Sequence, residues 1–281
     1  MVTVLAQQQP DLDYAPDDFF PGPYRPDTQF YMDRVSEATM QAARRLRRGR
    51  ILDVACGTAR EMIQLSQKGW LAWGLDASPK MLAAARRNAE QEGASVNLVR
   101  GIAETLPFPD SSFDRLTCKG ALDHFADPQT FIREAARVLK PNGRAIIAVT
   151  NYESLSCKLG RRLYPLFLRL GWMSTTERPY WVIPPDHTFK GDYDRIIRLG
   201  DGWLELRKCF GVSLLWLFPG WGSFLAKLPQ PLALVILRTA DSVARLTPSM
   251  SDVIISVWSP RAEVKRRRAP RRARRQRRRT G

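Results

Sequence analysis

Residues 51–60 read ILDVACGTAR, and a second apolar run over residues 71–75, LAWGL, ends on Asp76. The first run predicts a buried strand, followed by a tight turn around Gly57 and the start of a helix. A glycine in such a turn lets the backbone pass close to a ligand, and an acid at the end of the next strand can accept hydrogen bonds from ribose hydroxyls. This stretch therefore predicts a site for a cofactor that contains a nucleoside.

The residues of the turn indicate which cofactor it is. A dinucleotide site has three glycines, whereas this turn has Ala55, Gly57 and Arg60 at the corresponding positions, which argues against NAD and FAD. The carboxylate of Asp53 would repel a pyrophosphate and attract an ammonium group. S-adenosylmethionine carries an ammonium and a sulfonium group and has no phosphate, so it fits this pattern.

Four segments in order carry a resemblance to a known family: LDVACGT (52–58), GLDASPKML (74–82), AETLPFPDSSFD (103–114) and EAARVLKPNGR (134–144). They resemble the class I S-adenosylmethionine-dependent methyltransferases, in the branch of the ubiquinone and menaquinone C-methyltransferases. The resemblance runs from about residue 50 to residue 151. It implies an α/β fold, a Rossmann-like doubly wound sheet of seven strands whose last strand is antiparallel, with helical cap insertions.

The resemblance also implies which residues bind the cofactor. They are Asp53, Ala55, Cys56, Gly57, Asp76, Ala77, Met81, Ile102, Ala103, Cys118 and Lys119. Relatives usually have glycine where this chain has Ala55 and Ala59, and we expect both alanines to keep a negative φ. Ile102 replaces a frequent aspartate, so adenine is expected to rest on apolar contact. A structural role stays open for the acids: Asp53 would order the loop, and Asp76 would cap a helix.

Methyl transfer mainly requires that the acceptor is aligned with the methyl group and that water is excluded. If the acceptor is a phenol, a hydroxyl or an acidic carbon, a base helps. The alternating patterns predict strands near 51–55, 71–76, 96–100, 114–119 and 144–150 and helices near 59–68, 79–92 and 128–139. His124, just after the fourth of these strands, is the candidate, because strand ends line the site in open sheets. A packing role for His124 stays open, and His187 is expected to make a structural hydrogen bond.

The alternation of apolar runs and helical patterns predicts five domain segments. Residues 1–28 form a flexible arm, 29–151 the cofactor-binding core, and 152–190 a cap. Residues 191–260 complete the core, with a helix within 187–210, strands at 212–218 and 251–259, and a helical insertion at 219–248. Residues 261–281 form a disordered, arginine-rich tail.

Composition limits the other possibilities. The 281 residues are 44% hydrophobic, which suffices for a sizeable core. Four scattered cysteines and two histidines predict neither a disulfide framework nor a metal site. The N-terminus lacks the pattern of a secretory signal, so a cytoplasmic location is expected. The acceptor is expected to be small and apolar, such as a lipid, a quinone-like compound or a secondary-metabolite precursor, because leucine and tryptophan are frequent in the cap.

The basic excess is concentrated in the tail. Residues 265–279 hold eleven Lys or Arg and no acid, and without them the net charge falls from +16 to about +5. Such a run suits a polyanion, either nucleic acid or an anionic membrane surface, or it only keeps the protein soluble. Peripheral membrane contact through the cap is a further possibility. Two rival functions follow: an RNA or tRNA methyltransferase that uses the tail, and a non-catalytic binding or scaffold protein.

Overall fold

The computed structural model describes residues 25–44, 48–176, 178–185 and 187–261. The predicted arm and tail lie outside the described residues, except for 25–28 and Arg261. The elements in chain order are α1 (Pro26–Ala43), β1 (Arg50–Val54), α2 (Arg60–Gln67), β2 (Leu71–Asp76), α3 (Pro79–Gln91), β3 (Val96–Arg100), β4 (Phe113–Lys119), α4 (Pro128–Val138), β5 (Leu139–Thr150), α5 (Leu155–Arg169), α6 (Tyr193–Arg198), β6 (Leu204–Val212), α7 (Trp221–Leu225), α8 (Gln230–Leu246) and β7 (Val253–Pro260).

The seven strands form one sheet in the order β3-β2-β1-β4-β5-β7-β6. β1 to β5 pair in parallel, while β7 runs antiparallel to both of its neighbours, β5 and β6. The predicted fold class is therefore confirmed. Because the order reverses direction next to β1, a crevice opens at the carboxyl ends of the strands, where open α/β sheets bind ligands.

Both faces of the sheet are covered, which explains why its central strands are apolar almost throughout. Alternate residues of a strand point to opposite faces. In β1, Leu52 and Val54 belong to the core that includes α4, whereas Ile51 belongs to the core that includes α1 and α2. Burial of both faces fixes the register of the strands and thereby the positions of the loops that follow them.

Local signals explain where several helices begin. Pro26 stands in the first turn of α1, where its missing N–H is not needed, so this helix starts within the predicted arm. The Ser78 hydroxyl caps α3 by accepting a hydrogen bond from the Met81 N–H at 3.2 Å. The Asp127 carboxylate caps α4 through the N–H groups of Gln129 and Thr130. Caps of this kind contribute about 1 kcal/mol each.

The fifth strand is longer than predicted. The sequence predicts a turn at Pro141–Gly143 followed by a strand at 144–150, whereas β5 already pairs with β4 at Leu139. The pairing then shifts, so that Phe113 faces Leu139 while Arg115 faces Arg144. The residues in between bulge out, so the turn signal of Pro141, Asn142 and Gly143 is satisfied inside the strand.

The sixth strand lies elsewhere than predicted. The sequence predicts a strand at 212–218, but β6 ends at Val212, and β6 together with α6 occupies the region predicted to hold a helix. Beyond Val212 the chain turns through Ser213, Leu215 and Leu217, which have φ values of 62°, 65° and 63°. A residue at positive φ cannot extend a β-strand, so this apolar run forms a loop after β6.

The two segments predicted as cap and insertion have helices as their main elements. α5 lies within 152–190, and α7 and α8 lie within 219–248. Among the described residues, we find no helix that combines the length and the apolar character needed to cross a membrane.

Candidate active site

The turn after β1 is held in an unusual conformation. Ala55, Gly57 and Ala59 all have positive φ, at 58°, 52° and 58°. The expectation that the two alanines keep negative φ is therefore wrong. A left-handed conformation costs a residue with a Cβ about 1–2 kcal/mol. Two hydrogen bonds offset this cost. The Cys56 N–H bonds to the Leu75 carbonyl at 3.0 Å, which fixes the turn against β2, and the Ala59 N–H bonds to the Cys56 carbonyl at 2.9 Å.

Asp76 at the end of β2 ties the two crossover turns together. Its Oδ2 accepts the Gly57 N–H at 2.8 Å, and its Oδ1 accepts the Ser78 N–H at 2.9 Å. Burial raises the pKa of this carboxyl, and the backbone N–H groups act against that shift. Only 1% of the residue is exposed. Each carboxylate oxygen can accept a second hydrogen bond besides the backbone N–H that it already accepts.

The other predicted cofactor residues lie around the same turns. Ile102 is 40% exposed after β3, an unusual position for a large apolar side chain, while Ala103 is buried. Ala77 is half-buried between Asp76 and the cap of α3. Cys56 is buried against Gly74, where a Cβ would stand 2.7 Å from the Cys56 sulfur. The Met81 sulfur lies 4.0 Å from the position of a Cβ on Gly57.

Asp53 faces the helices α1 and α2 within a buried polar network. Its Oδ1 accepts the Thr117 hydroxyl at 2.6 Å. Burial, together with the Glu61 charge, raises the pKa of Asp53 to about 7, and Thr117 and Lys119 act against this shift. Lys119 forms an ion pair with Glu61, which also accepts the Ser36 hydroxyl at 2.6 Å. Asp53 and Lys119 are thus near one another, and Lys119 already has an anionic partner.

Cys118 differs from the other predicted site residues. Its side chain has no exposed surface and belongs to the apolar core, where burial raises the pKa of its thiol well above the usual value. The predicted contact of Cys118 with the cofactor stays a prediction.

The two histidines of the chain meet at the ends of β4 and β5. The rings of His124 and His187 are 4.3 Å apart between centroids and inclined by 73°. His187 Nδ1 lies 3.1 Å from Asp123 Oδ2 and 2.9 Å from the Tyr152 hydroxyl. Sequence reasoning missed Asp123 and Tyr152, although Asp123 directly precedes the predicted base, His124. It assigned His187 a structural hydrogen bond.

This cluster could also hold a metal ion. One ligand atom from each of Asp123, His124 and His187 can be chosen so that the three lie within 4.8 Å of one another, and they are the one such group among the described residues. The sequence predicts no metal site. Two imidazoles and one carboxylate are donors that several divalent metals accept.

The geometry of the crevice fits S-adenosylmethionine. A Cβ on Gly57 would meet only the Met81 sulfur, and a Cβ on Gly120 would meet nothing within 4 Å, so both turns have open space beside them. The two glycines follow β1 and β4, which are neighbours in the sheet. Asp76 at the end of β2 and the exposed Ile102 side chain after β3 lie at the same edge of the sheet.

Comparison with known proteins agrees with this geometry. Residues 52–147 match the family described as "Methyltransferase domain". The chain is 39% identical to the uncharacterized methyltransferase YcgJ of Bacillus subtilis over 99 residues. This stretch is 35% of this chain and 39% of that protein. It is 41% identical to the demethylmenaquinone methyltransferase of Thermus thermophilus over 100 residues. This stretch is 35% of this chain and 46% of that protein. It thus spans less than half the length of either relative.

A solved structure shares the fold. The PH0226 protein of Pyrococcus horikoshii superposes with a TM-score of 0.56 at 21% identity, over 87% of this chain and 98% of that one. Over residues 52–147 the chain thus matches a methyltransferase domain and resembles the demethylmenaquinone methyltransferase, and the structural match shows a shared fold.

Proposed function

We propose that the protein transfers a methyl group from S-adenosylmethionine to a small apolar acceptor that resembles a quinone or hydroquinone. The observation that carries the proposal is the link between the two crossover turns, where Asp76 holds the Gly57 N–H at the edge of the sheet. A carboxylate and a left-handed turn in this arrangement suit adenosine. When bound, the cofactor supplies a methyl group on a sulfonium that leaves as a neutral thioether.

The residues of the chain then have separate tasks. Asp76 binds the ribose hydroxyls, and Ile102 and Ala103 contact the adenine. Ala55, Cys56, Gly57, Ala77 and Met81 shape the crevice, and Asp53 attracts the ammonium group of the methionine part while Lys119 balances the buried charge. His124 belongs to the cluster that faces the acceptor. These assignments follow from the positions of the residues at one sheet edge and from the family resemblance.

The cap supports an apolar acceptor. Two sets of aromatic rings pack in the cap: Trp181 contacts Tyr164 and Tyr180 with centroids 5.4 and 4.8 Å apart, and Phe167 stacks on Trp172 at 5.9 Å. Tyr180 and Trp181 also lie within 2.6 Å of the place where a Cβ on Gly160 would stand, so this part of α5 is closely covered. The resemblance to a demethylmenaquinone methyltransferase points to the same class of acceptor.

We also propose that the cap rests on a membrane surface. Lys158, Arg162 and Leu166 of α5 and Leu170 directly after it follow one another at intervals of four, and all are exposed. The first two are cationic and form no ion pair with a described acid, and the last two lead to Trp172, which is 61% exposed. A helix with basic and apolar exposed halves suits an anionic interface. The nucleic-acid alternative depends on the tail, which lies outside the described residues.

Calorimetric titration with S-adenosylmethionine tests the cofactor site. Asp76→Ala is expected to weaken binding by about 1–3 kcal/mol because it removes charged hydrogen bonds. Asp201→Ala is a matched control, since Asp201 is exposed and pairs only with Arg261 among the described residues. Circular dichroism checks that both variants are folded. If the folded Asp76→Ala protein binds with unchanged affinity, Asp76 is not part of the site.

A labelled transfer assay tests the reaction itself. The full-length protein is incubated with methyl-labelled S-adenosylmethionine and a prenylated 1,4-naphthohydroquinone, and mass spectrometry locates the label. We expect one labelled methyl group on the acceptor. If the protein does not bind the cofactor even at millimolar concentration, the methyltransferase proposal is wrong and a binding or scaffold function takes its place.

A further inference from the structure

Both histidines of the chain lie beside one carboxylate, although they come from segments 63 residues apart. His124 ends the 3₁₀ turn Leu122–His124 after β4, and Asp123 directly precedes it. His187 stands between α5 and α6, on the segment that returns from the cap. One ligand atom from each of Asp123, His124 and His187 can be chosen so that all three lie within 4.8 Å of one another. The fold thus assembles two imidazoles and a carboxylate, a donor set that divalent transition metals accept.

The spacing of these groups matches ligands on adjacent positions of one ion. His187 Nδ1 lies 3.1 Å from Asp123 Oδ2. Two ligand atoms bound at about 2.1 Å and at right angles to each other stand about 3.0 Å apart. The ring centroids of His124 and His187 are 4.3 Å apart. Two imidazoles bound at right angles have centroids about 4.5 Å apart, because each centroid lies about 3.2 Å from the ion. Both distances therefore fit three ligands on one face of an octahedron.

Backbone hydrogen bonds hold the two segments in this arrangement. The Thr188 N–H bonds to the Asp123 carbonyl at 2.7 Å, which ties the residue after His187 to the turn after β4. The Tyr152 N–H bonds to the Gly191 carbonyl at 2.9 Å, which fixes the same segment at the end of β5. The three side chains are therefore positioned before an ion binds, as a precise metal site requires.

The charge of the group favours a cation. The side chains of Asp123 and His187 are 6% and 11% exposed, so the carboxylate is largely shielded from water. Within the described ranges, no lysine or arginine forms an ion pair with Asp123, and its partner is His187. Buried charges in proteins are paired or coordinate metals. Both histidines are only partly buried, so the group is reachable from solvent.

We propose that Asp123, His124 and His187 bind one divalent first-row transition-metal ion, with Asp123 Oδ2 and His187 Nδ1 on adjacent positions. Mg²⁺ and Ca²⁺ prefer sites made of oxygen ligands, so they are expected to bind weakly. The Tyr152 hydroxyl, 2.9 Å from His187 Nδ1, gives up its hydrogen bond to this nitrogen when the ion binds. The ion site does not rest on the proposed methyltransferase function.

A bound ion links the cap to the sheet. Two of its ligands directly follow β4, and the third lies on the segment between α5 and α6. An ion that binds the folded protein and not the unfolded chain raises stability. The melting temperature of the full chain should therefore rise by about 5 °C when free Zn²⁺ is at about 100 times its dissociation constant. Mg²⁺ at the same concentration should have no such effect.

Nuclear magnetic resonance identifies the ligands directly, without cofactor or acceptor. In a full chain that lacks a histidine tag, ¹⁵N-labelled histidine gives signals from two imidazoles only. Zn²⁺ is added to one equivalent, and calorimetry measures its stoichiometry and affinity. We expect one ion per chain and a large ¹⁵N shift of one ring nitrogen in each histidine, which for His187 is Nδ1.

Variants separate the ligands from their surroundings. Asp123→Asn, His124→Phe and His187→Phe keep the approximate size of each side chain and remove one ligand, so each should weaken Zn²⁺ binding about 100-fold or more. Tyr152→Phe keeps all three ligands, and a neutral phenol is a weak donor, so binding should change by less than about 10-fold. Asp201→Asn, at an exposed position away from the cluster, should bind like the wild-type protein.

Each result decides the proposal. One bound Zn²⁺ per chain, with shifts on both histidines and a loss in the ligand variants, supports it. No binding, a shift on at most one histidine, or unchanged affinity in the ligand variants overturns it. An equal loss in Tyr152→Phe and Asp123→Asn would also overturn it, because packing and not the three ligands would then govern binding. If His187→Phe fails to fold, Asp123→Asn and His124→Phe decide by the same titration. No sample contains S-adenosylmethionine, so a failure of the methyltransferase function leaves these results unaffected.

Discussion

Two alanines in the cofactor turn have a backbone conformation that favours glycine. Ala55 and Ala59 both have a φ of 58°, on either side of Gly57. The sequence indicates the turn correctly but not its conformation, because alanine normally argues against positive φ. The hydrogen bonds of the turn and its packing against β2 impose the shape, so the local preference of each alanine is overruled by tertiary contacts.

This strain gives a stability prediction. Ala55→Gly and Ala59→Gly should each raise the free energy of unfolding by up to about 1 kcal/mol. Glycine adopts positive φ without the steric cost of a Cβ, and its greater entropy in the unfolded chain offsets part of this gain. Ala83→Gly is the matched control, since Ala83 is exposed in α3 and glycine there should cost about 1 kcal/mol. Urea unfolding measures all three. Equal losses at the three positions would show that the turn is not strained.

Asp53 gives a prediction that depends on pH. Its pKa is about 7 in the folded protein and 3.8 as the ordinary value, so between these pH values the folded state holds a proton that the unfolded state has lost. Stability attributable to this group therefore falls as pH rises from about 4 to about 7. Asp53→Asn carries no such penalty. It should be more stable than the wild-type protein by about 1–3 kcal/mol at pH 8 and by little at pH 4.

Urea unfolding at pH 4, 6 and 8 checks the Asp53 prediction, and the difference between the two proteins cancels the titration of the other acids. Asp201→Asn, at an exposed position, should stay within about 0.5 kcal/mol of the wild-type protein at each pH. A stability gain for Asp53→Asn that is the same at pH 4 and pH 8 would mean that the buried charge is not its cause.

The loop after β6 is the element that the sequence describes least well. Residues 212–218 are apolar and β-like in composition, yet three of them have positive φ. The loop is held by the Asp252 carboxylate, which accepts the Trp216 N–H at 2.9 Å, and by the Asp241 carboxylate, which accepts the Ser213 N–H at 3.1 Å. Both acids are distant in sequence, so no local pattern could have predicted this shape.

The ring of Trp216 connects this loop to the first helix. It stacks on Tyr31 of α1 with ring centroids 3.7 Å apart and planes within 8°, and its Nε1–H points to the Thr28 hydroxyl at 3.3 Å. A double-mutant cycle with Tyr31→Ala and Trp216→Ala should give a coupling energy of about 0.5–1.5 kcal/mol. The cycle Tyr31→Ala with Phe224→Ala should give a value near zero, because the described structure shows no contact between these two rings. Additive losses in the first cycle would contradict the stacking.

The elements that the sequence does predict share one property. β1, β2, β4, α3 and α4 are specified by local apolar periodicity and by caps next to them in the chain, such as Ser78 and Asp127. The candidate site was partly predictable for the same reason, because Gly57 and Asp76 directly follow their strands. Asp123, Tyr152 and His187 come together only through the packing of the cap on the sheet, which no spacing in the sequence encodes.

At the scale of the whole molecule, charge divides the chain into two unequal parts. The net charge of the chain is +16, and about eleven of those charges belong to residues 265–279. The described body has many of its cations paired, as Arg137 with Glu134 and Asp110, and Lys140 with Asp114. Attraction to polyanions should therefore come mainly from the C-terminal run, and cofactor binding should not depend on it.

Deletion of residues 265–281 tests this division. Contacts between cations and phosphates release counterions, so the logarithm of affinity falls with the logarithm of salt concentration by a slope of about 0.9 per contact on duplex DNA. The deletion should weaken binding to a random 20-base-pair duplex and to vesicles with anionic lipid. It should also lower the salt slope by an amount that corresponds to several contacts. Calorimetry should give the same affinity for S-adenosylmethionine with and without the deletion. A scrambled order of the same seventeen residues should bind like the wild-type protein, since charge and not sequence carries the attraction. If the shortened protein still binds vesicles but no longer binds DNA, the exposed face of α5 carries the membrane contact by itself. If the shortened protein binds both vesicles and DNA with an unchanged salt slope, the folded body and not the C-terminal run is the part that binds polyanions.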